Sequence, residues 1–319
     1  MQRYIAKRIL LNIPVIFLVV TIVFLVSHLR TDIAERRVAQ SSFGGMEYDQ
    51  AVSSIRKELG TDRPLIVQYG HYLLDTARGD FGTSLMSQKP VVVELKHRLG
   101  TSVELGLLQI LVALVISIPI GVISAVRQDT WLDYGLRFFA ILGLAIPSFY
   151  LATLLHLFAF NWFGWGPPTT NYHSFFDNPS LNLQAMALPA LAGGLAMGAV
   201  IMRLLRSQLL EVLRQDYIRT AWAKGLRERA VLMGHAMKNA MIPVFTIVGL
   251  LVGTLFGGNL ILESMFALPG VAQFLVVSFQ QNDLPMIQGT VLLVGIVLVM
   301  TNIVVDLSYA WLDPRIRYH

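Results

Sequence analysis

The chain has 319 residues, of which 55% are hydrophobic and 14% charged, with a formal net charge of +5. Soluble domains carry about a quarter charged residues, and a chain of this length has too little interior to hide so much apolar surface. The composition excludes a soluble enzyme or a disordered chain and points to an integral membrane protein; the lack of cysteine also excludes disulfides, thiol catalysis and cysteine-ligated metals.

Uncharged runs long enough to cross about 30 Å of hydrocarbon, roughly 20 helical residues, stand at 9–29, 105–126, 138–158, 184–202, 239–262 and 284–305. They are apolar all round, without the period-2 alternation of a membrane barrel, so they predict six spanning helices. The first run follows Arg3, Lys7 and Arg8, as in a signal peptide. It is longer than a signal core and no small-x-small cleavage site follows, so it reads as a retained helix.

In the long loop 30–100, Val52, Ile55 and Leu59, and then Leu65, Tyr69, Tyr72 and Leu73, recur at helical spacing on either side of Gly60 and Pro64. Two short amphipathic helices are expected there. The stretch 159–183 carries Trp162, Trp165 and Tyr172, which suits an interfacial aromatic belt. The uncharged stretch 264–282 is broken by Leu268-Pro269-Gly270 and reads as a re-entrant or surface-lying segment, not a seventh span.

Lysine and arginine set the orientation. They gather at the N-terminus, at Arg127 and Arg137, between Arg203 and Lys238, and at Arg315 and Arg317; 159–183 and 263–283 have none. Loop 30–100 holds ten, but long loops cross regardless of charge. Both termini are therefore expected in the cytoplasm. Topology accounts for the basic excess, so no nucleic-acid partner is expected. The seven histidines form no metal-binding spacing, so no metal site is expected.

The cytoplasmic segment 206–238 is the most informative. Asp216 is placed as an N-cap, residues 217–224 as a two-turn helix, and Gly225 as the left-handed residue that ends it. Ile218 and Trp222, four apart, share a face. A helix this short is unstable alone, so it must dock on the chain's own spans, on a partner, or on the lipid surface. Among the other features, Gly193, Gly194 and Gly198 predict tight helix packing, and Pro119, Pro147, Pro189 and Pro243 predict kinks. Glu104 and Glu263 stand at interface level, as functional or merely interfacial acids, and Asp306 is expected to form a structural ion pair with Arg203 or Arg206.

The run Asp216-Tyr217-Ile218-Arg219-Thr220-Ala221-Trp222-Ala223-Lys224-Gly225-Leu226 resembles the coupling-loop signature of ABC importer permeases of the dipeptide/oligopeptide/nickel branch, departing from it only at Trp222. Glu263, Phe266, Pro269 and Gly270 match the branch's outer Glu-x-x-Phe-x-x-Pro-Gly motif, followed by Asp283 and Pro285. Ile146-Pro147-Ser148-Phe149, Gly79-Asp80-Phe81-Gly82 and Leu312-Asp313-Pro314-Arg315 are similar to the branch as well. Two departures lie on the outer side: Leu29-Arg30-Thr31-Asp32 stands where the family has Pro-Gly-Asp-Pro, and Ala272 where it often has Gly.

The resemblance implies the type I importer permease fold, all-α with six spans, and the B-type subunit of the pair. It implies a C-type second permease, two ABC ATPases that bind ATP and Mg, an extracytoplasmic substrate-binding protein, and a bacterial or archaeal cytoplasmic membrane. The chain itself has no phosphate-binding loop of the G-x-x-x-x-G-K-[ST] type and is expected to be neither enzyme nor cofactor carrier. The resemblance assigns 216–226 to ATPase coupling, with Tyr217, Ile218, Ala221 and Trp222 as contacts. Arg219 and Lys224 meet either acidic ATPase residues or lipid headgroups. It assigns Glu263, Phe266, Leu268, Pro269 and Gly270 to an outer gate. Peptides are the expected cargo; nickel chelates, glutathione or another small solute are alternatives, and a membrane scaffold or receptor is a distant one.

Overall fold

A computed structural model describes residues 2–28, 48–58, 62–168 and 172–312. Its elements are helical: α1 Gln2–His28, α2 Tyr48–Glu58, α3 Leu65–Ala77, α4 Val91–Val126, α5 Trp131–Ala145, α6 Ser148–Phe163, α7 Pro179–Leu213, α8 Asp216–Ala223, a π-helical stretch Val231–Ala236, α9 Met237–Gly258, α10 Leu260–Met265, α11 Val271–Gln280 and α12 Leu284–Leu312. The β pairing among the described residues is one bridge, Thr83 to Pro90.

Among the described residues, four helical stretches are long and apolar enough to cross a membrane: α4, α7, Glu228–Gly253 and α12. A fifth counts if α5 and α6 form one broken span; in α1 the stretch Leu10–Val26 is apolar but shorter. The run expected as the third span, 138–158, falls within α5 and α6. It is two helices bent by 111°. Pro147 crowds the backbone of the residue before it and disfavours the helical region there; Ile146 accordingly sits extended at φ −87°, ψ 121°. The second and fourth runs belong to longer helices, since α4 has 36 residues and α7 has 35. By contrast, the ten residues of α11 span about 15 Å, half the hydrocarbon thickness.

The chain divides into two compact units. The first comprises Thr101–Leu268 with Thr301–His319. Within it α7 packs against α5, α6 and α9. Two apolar clusters form along α7. Met186, Leu188 and Ala192 lie with Leu105, Ala152, Leu262, Phe266 and Leu268. Ile201, Leu205 and Leu209 lie with Ile218, Ala221, Val231, Ala236, Ala240 and Val244. Small residues permit this. A Cβ on Gly194 would stand 2.6 Å from the Val112 side chain and 2.9 Å from the Gln109 carbonyl oxygen, and one on Gly193 would overlap the Gln109 side chain.

The second unit comprises Gln2–Gly100 with Pro269–Met300. Phe24 of α1 packs on Tyr69 and Tyr72 of α3, at ring separations of 5.1 and 5.5 Å. The two short helices of the long loop stand near the expected places, with Ala51 and Val52 buried on α2; Leu59 lies outside the described residues. The Gly79–Gly82 turn uses left-handed glycines at both ends, and Asp80 Oδ1 accepts the Gly82 N–H. Asp283 is buried before α12 and accepts from Ser84 Oγ at 2.6 Å and the Met86 N–H at 3.2 Å.

Gly194→Ala should therefore lower stability by about 1–3 kcal/mol through overpacking. Gly135→Ala, where a Cβ meets nothing within 4 Å, should be neutral or slightly stabilising because Ala is the better helix former. Thermal unfolding of the two variants in detergent, followed by tryptophan fluorescence, separates them.

Candidate functional site

The segment after α7 is built as a docked element. Gln215, not Asp216, occupies the cap position of α8, and Asp216 is its first helical residue. Its carboxylate therefore complements the helix dipole from the first turn instead of capping. Asp216 also pairs with Arg219 at 3.3 Å in full exposure, a contact worth little by itself.

The helix ends in a Schellman motif. The Leu226 N–H donates to the Ala221 carbonyl and the Gly225 N–H to the Trp222 carbonyl. Gly225 has φ +74°, and a Cβ there would meet nothing within 4 Å. In this chain glycine is required there by the backbone conformation and not by crowding.

One face of α8 is spent on the chain itself. Ile218 and Ala221 are buried in the cluster with Leu205, Leu209, Val231 and Ala236. Trp222, four residues after Ile218, does not follow it inward and is 45% exposed. Tyr217, Arg219, Thr220, Lys224 and Leu226 are exposed too. The Tyr217 hydroxyl accepts from Asn239 Nδ2 at 2.7 Å, tying α8 to the start of α9. Between them lies the π-helix, a rare form that is frequent at functional sites. Beside α8 a surface depression of about 530 Å³ is lined by Arg206, Arg214 and Asp216, among others.

Below this segment the structure holds a buried ion pair that the sequence did not reveal. Asp133, fully buried, accepts from Arg206 Nε at 2.9 Å and Nη2 at 2.7 Å, from Ser124 Oγ, and from the Asp129 N–H at 3.1 Å. Every lone-pair direction of the carboxylate is used, which is what a buried charge needs. Thr130 caps α5 by accepting the Asp133 N–H, and that Thr-x-x-Asp spacing was the available signal. Arg206 is thus committed to Asp133. The side chain of Asp306 lies outside the described residues, and Arg203 is exposed.

The third region is the segment 259–268. Glu263, 1% exposed, accepts from Ser102 Oγ at 2.6 Å. Phe266 and Leu268 are buried beside Ala152 and Met186, and His156 meets the Phe266 ring edge-on. Pro269 and Gly270 belong to the other unit, where Gly270 precedes α11.

Helix α10 ends in the same motif as α8: the Leu268 N–H donates to the Glu263 carbonyl and the Ala267 N–H to that of Ser264. Here the left-handed position is Ala267, at φ +50°. Strained non-glycine residues of this kind cluster at functional sites. Nearby, Tyr172 donates to Glu104 Oε2 at 3.1 Å. Burial, with the Glu104 charge adding to it, raises the Tyr172 pKa, so the hydroxyl stays protonated as a donor.

Residues 117–318 match the family described as binding-protein-dependent transport system inner membrane component, and residues 1–106 match the N-terminal component of such systems. The chain is 36% identical to the dipeptide transport system permease protein DppB of Alkalihalophilus pseudofirmus and 38% identical to the glutathione transport system permease protein GsiC of Salmonella choleraesuis, in each case over the whole of both chains. The chain belongs to this family. It is a permease subunit of an ABC importer, a multi-pass protein of the inner membrane and one component of a multi-subunit system. The permease presents α8 as a short exposed helix fixed from behind. Two of the four contact residues expected from the sequence, Ile218 and Ala221, face its own interior.

Removing Arg206 leaves the buried Asp133 carboxylate with only the longer 3.7 Å contact to the half-exposed Arg137 as counter-charge, so Arg206→Ala should cost about 3 kcal/mol. The double change Asp133→Leu with Arg206→Met should recover most of the loss, and a double-mutant cycle on unfolding in detergent measures it. At Ala267, glycine should relieve the left-handed strain by about 1 kcal/mol. Slower hydrogen exchange at the Leu268 amide of Ala267→Gly would register that gain.

Proposed function

We propose that this permease is the B-type subunit of a peptide importer and that α8 is its coupling helix. Six spans carry the chain through the cytoplasmic membrane of a bacterium or archaeon, with both termini in the cytoplasm. α1 and the α5–α6 pair complete the count. A C-type permease, two ABC ATPases and an extracytoplasmic binding protein make up the rest of the system. ATP and Mg belong to the ATPases.

The observation that supports coupling best is the division of α8. Ile218 and Ala221 anchor it in the cluster shared with α7 and α9, while Tyr217, Arg219, Trp222, Lys224 and Leu226 stay outside. A partner that grips the exposed face moves a body already welded to two long helices. Closure of the ATPases then draws the coupling helices of the two permeases together, and the spans rock between inward- and outward-facing states. Nucleotide shifts that equilibrium only through different affinities for the two states. The segment bearing Glu263, Phe266, Leu268, Pro269 and Gly270 acts as the outer gate.

Peptide cargo is supported by the dipeptide permease relative; the glutathione permease relative supports the neighbouring reading, a peptide-like thiol. Reconstitution with the cognate binding protein discriminates them. Uptake of labelled dipeptide that excess glutathione leaves unchanged supports the first, and the reverse pattern supports the second.

Trp222→Ala should weaken ATPase attachment, with uptake falling about tenfold or more if the lost contact has hot-spot character. Its unfolding temperature should fall only modestly, because the ring is already 45% exposed. Full uptake by Trp222→Ala together with Tyr217→Ala would count against α8 as the docking element.

A further inference from the structure

Residues outside every motif hold the segment 259–268 in place. Gln109 of α4 lies in the space left by Gly193 of α7, where a Cβ would overlap its amide. From there its Nε2 donates to Asn259 Oδ1 at 2.9 Å and to the Pro189 carbonyl at 3.4 Å. Two turns earlier on α4, Ser102 Oγ donates to Glu263 Oε1 at 2.6 Å. Gln109, Asn259, Ser102 and Glu263 are all at least 95% buried. Two polar contacts seven residues apart on one helix therefore clasp both ends of the short turn that begins at Asn259.

This arrangement is poor as mere stabilisation. Asn259 Nδ2 is buried without a hydrogen-bond partner among the described residues, and a partly satisfied polar network serves stability less well than an apolar core of equal volume. Its strength is geometric. Each contact is satisfied at one position of the segment and lost at any other, so together they give the segment a discrete seat instead of a continuum of positions.

We infer that Ser102 and Gln109 are positioning residues of the transport cycle: they seat the segment 259–268 against α4 and α7 and must release it for the gate to open. The inference rests on the reading of that segment as part of the outer gate. Neither residue needs to touch substrate.

The native sequence has no cysteine, so Leu268→Cys places a single thiol, in this subunit, at a position 1% exposed. Its rate of reaction with N-ethylmaleimide is read by mass spectrometry in the complete transporter, together with ATP hydrolysis and peptide uptake. Ser102→Ala and the near-isosteric Gln109→Met each break one of the two contacts to the segment, the latter also losing the bond to the Pro189 carbonyl, and Ser102→Thr keeps the hydroxyl.

The expected result is labelling about fivefold faster in each broken variant, the factor that corresponds to one ordinary hydrogen bond. Ser102→Thr should return it to the parent rate, and uptake per ATP hydrolysed should fall in step with the faster labelling. Unchanged labelling in both broken variants overturns the inference. Faster labelling with unchanged uptake per ATP upholds the seating but overturns the gate reading, and with it the role in the cycle. Because assembly with the ATPases is scored in the same preparation, failure of the coupling reading shows separately, as loss of ATPase from the parent complex.

Discussion

The fold of the first unit depends on how closely α4 can approach α7. Lipid tails are as apolar as leucine, so no hydrophobic drive brings membrane helices together, and packing must do so. Gly193, Gly194 and Gly198 strip one face of α7 down to backbone, and Val112, Gln109 and Ala113 settle onto it. Both apolar clusters are arranged along that contact. The Gln109 amide reaches Asn259 only because Gly193 has no side chain.

The other end of α7 is held by a different kind of force. Asp133 and Arg206 form a bidentate pair in which Ser124 and a backbone N–H use the remaining carboxylate capacity. One turn away, Leu205 and Leu209 bury the inner face of α8. Charge and apolar packing thus converge on the stretch from which the proposed coupling helix leaves. The π-helix Val231–Ala236 follows, a rare helical form that is frequent at functional sites.

Much of this was legible in residues. Apolar runs located the long helices, because a membrane forces backbone polarity to be satisfied within the helix. Gly225 marked the end of α8, since its left-handed backbone is rare for other residues. Other features were hidden for physical reasons. Pro147 announced a kink in 138–158, but a run without charge looks continuous and hydropathy does not register that the bend reaches 111°. Asp133 was not singled out, because Arg206, 73 positions later, is invisible to local spacing. Ala267 gave no signal at all, since alanine is an ordinary residue whose left-handed backbone only the surrounding turn imposes. Ile218 and Trp222 share a helical spacing, yet the first is buried and the second stays 45% exposed, a division that spacing alone does not show.

The length of α7 has a mechanical consequence. Its 35 residues make a rod of about 52 Å. Met186 and Leu188 lie near one end, beside Phe266 and Leu268, and Leu205 and Leu209 lie near the other, beneath α8. A tilt of only about 10° over that length moves one tip by about 9 Å relative to the other. Pro189, which cannot donate the hydrogen bond its place in the helix calls for, stands about a third of the way along. Pro189 divides the rod into arms of about 15 and 36 Å, so any bend there swings the end beneath α8 more than twice as far as the end beside Phe266.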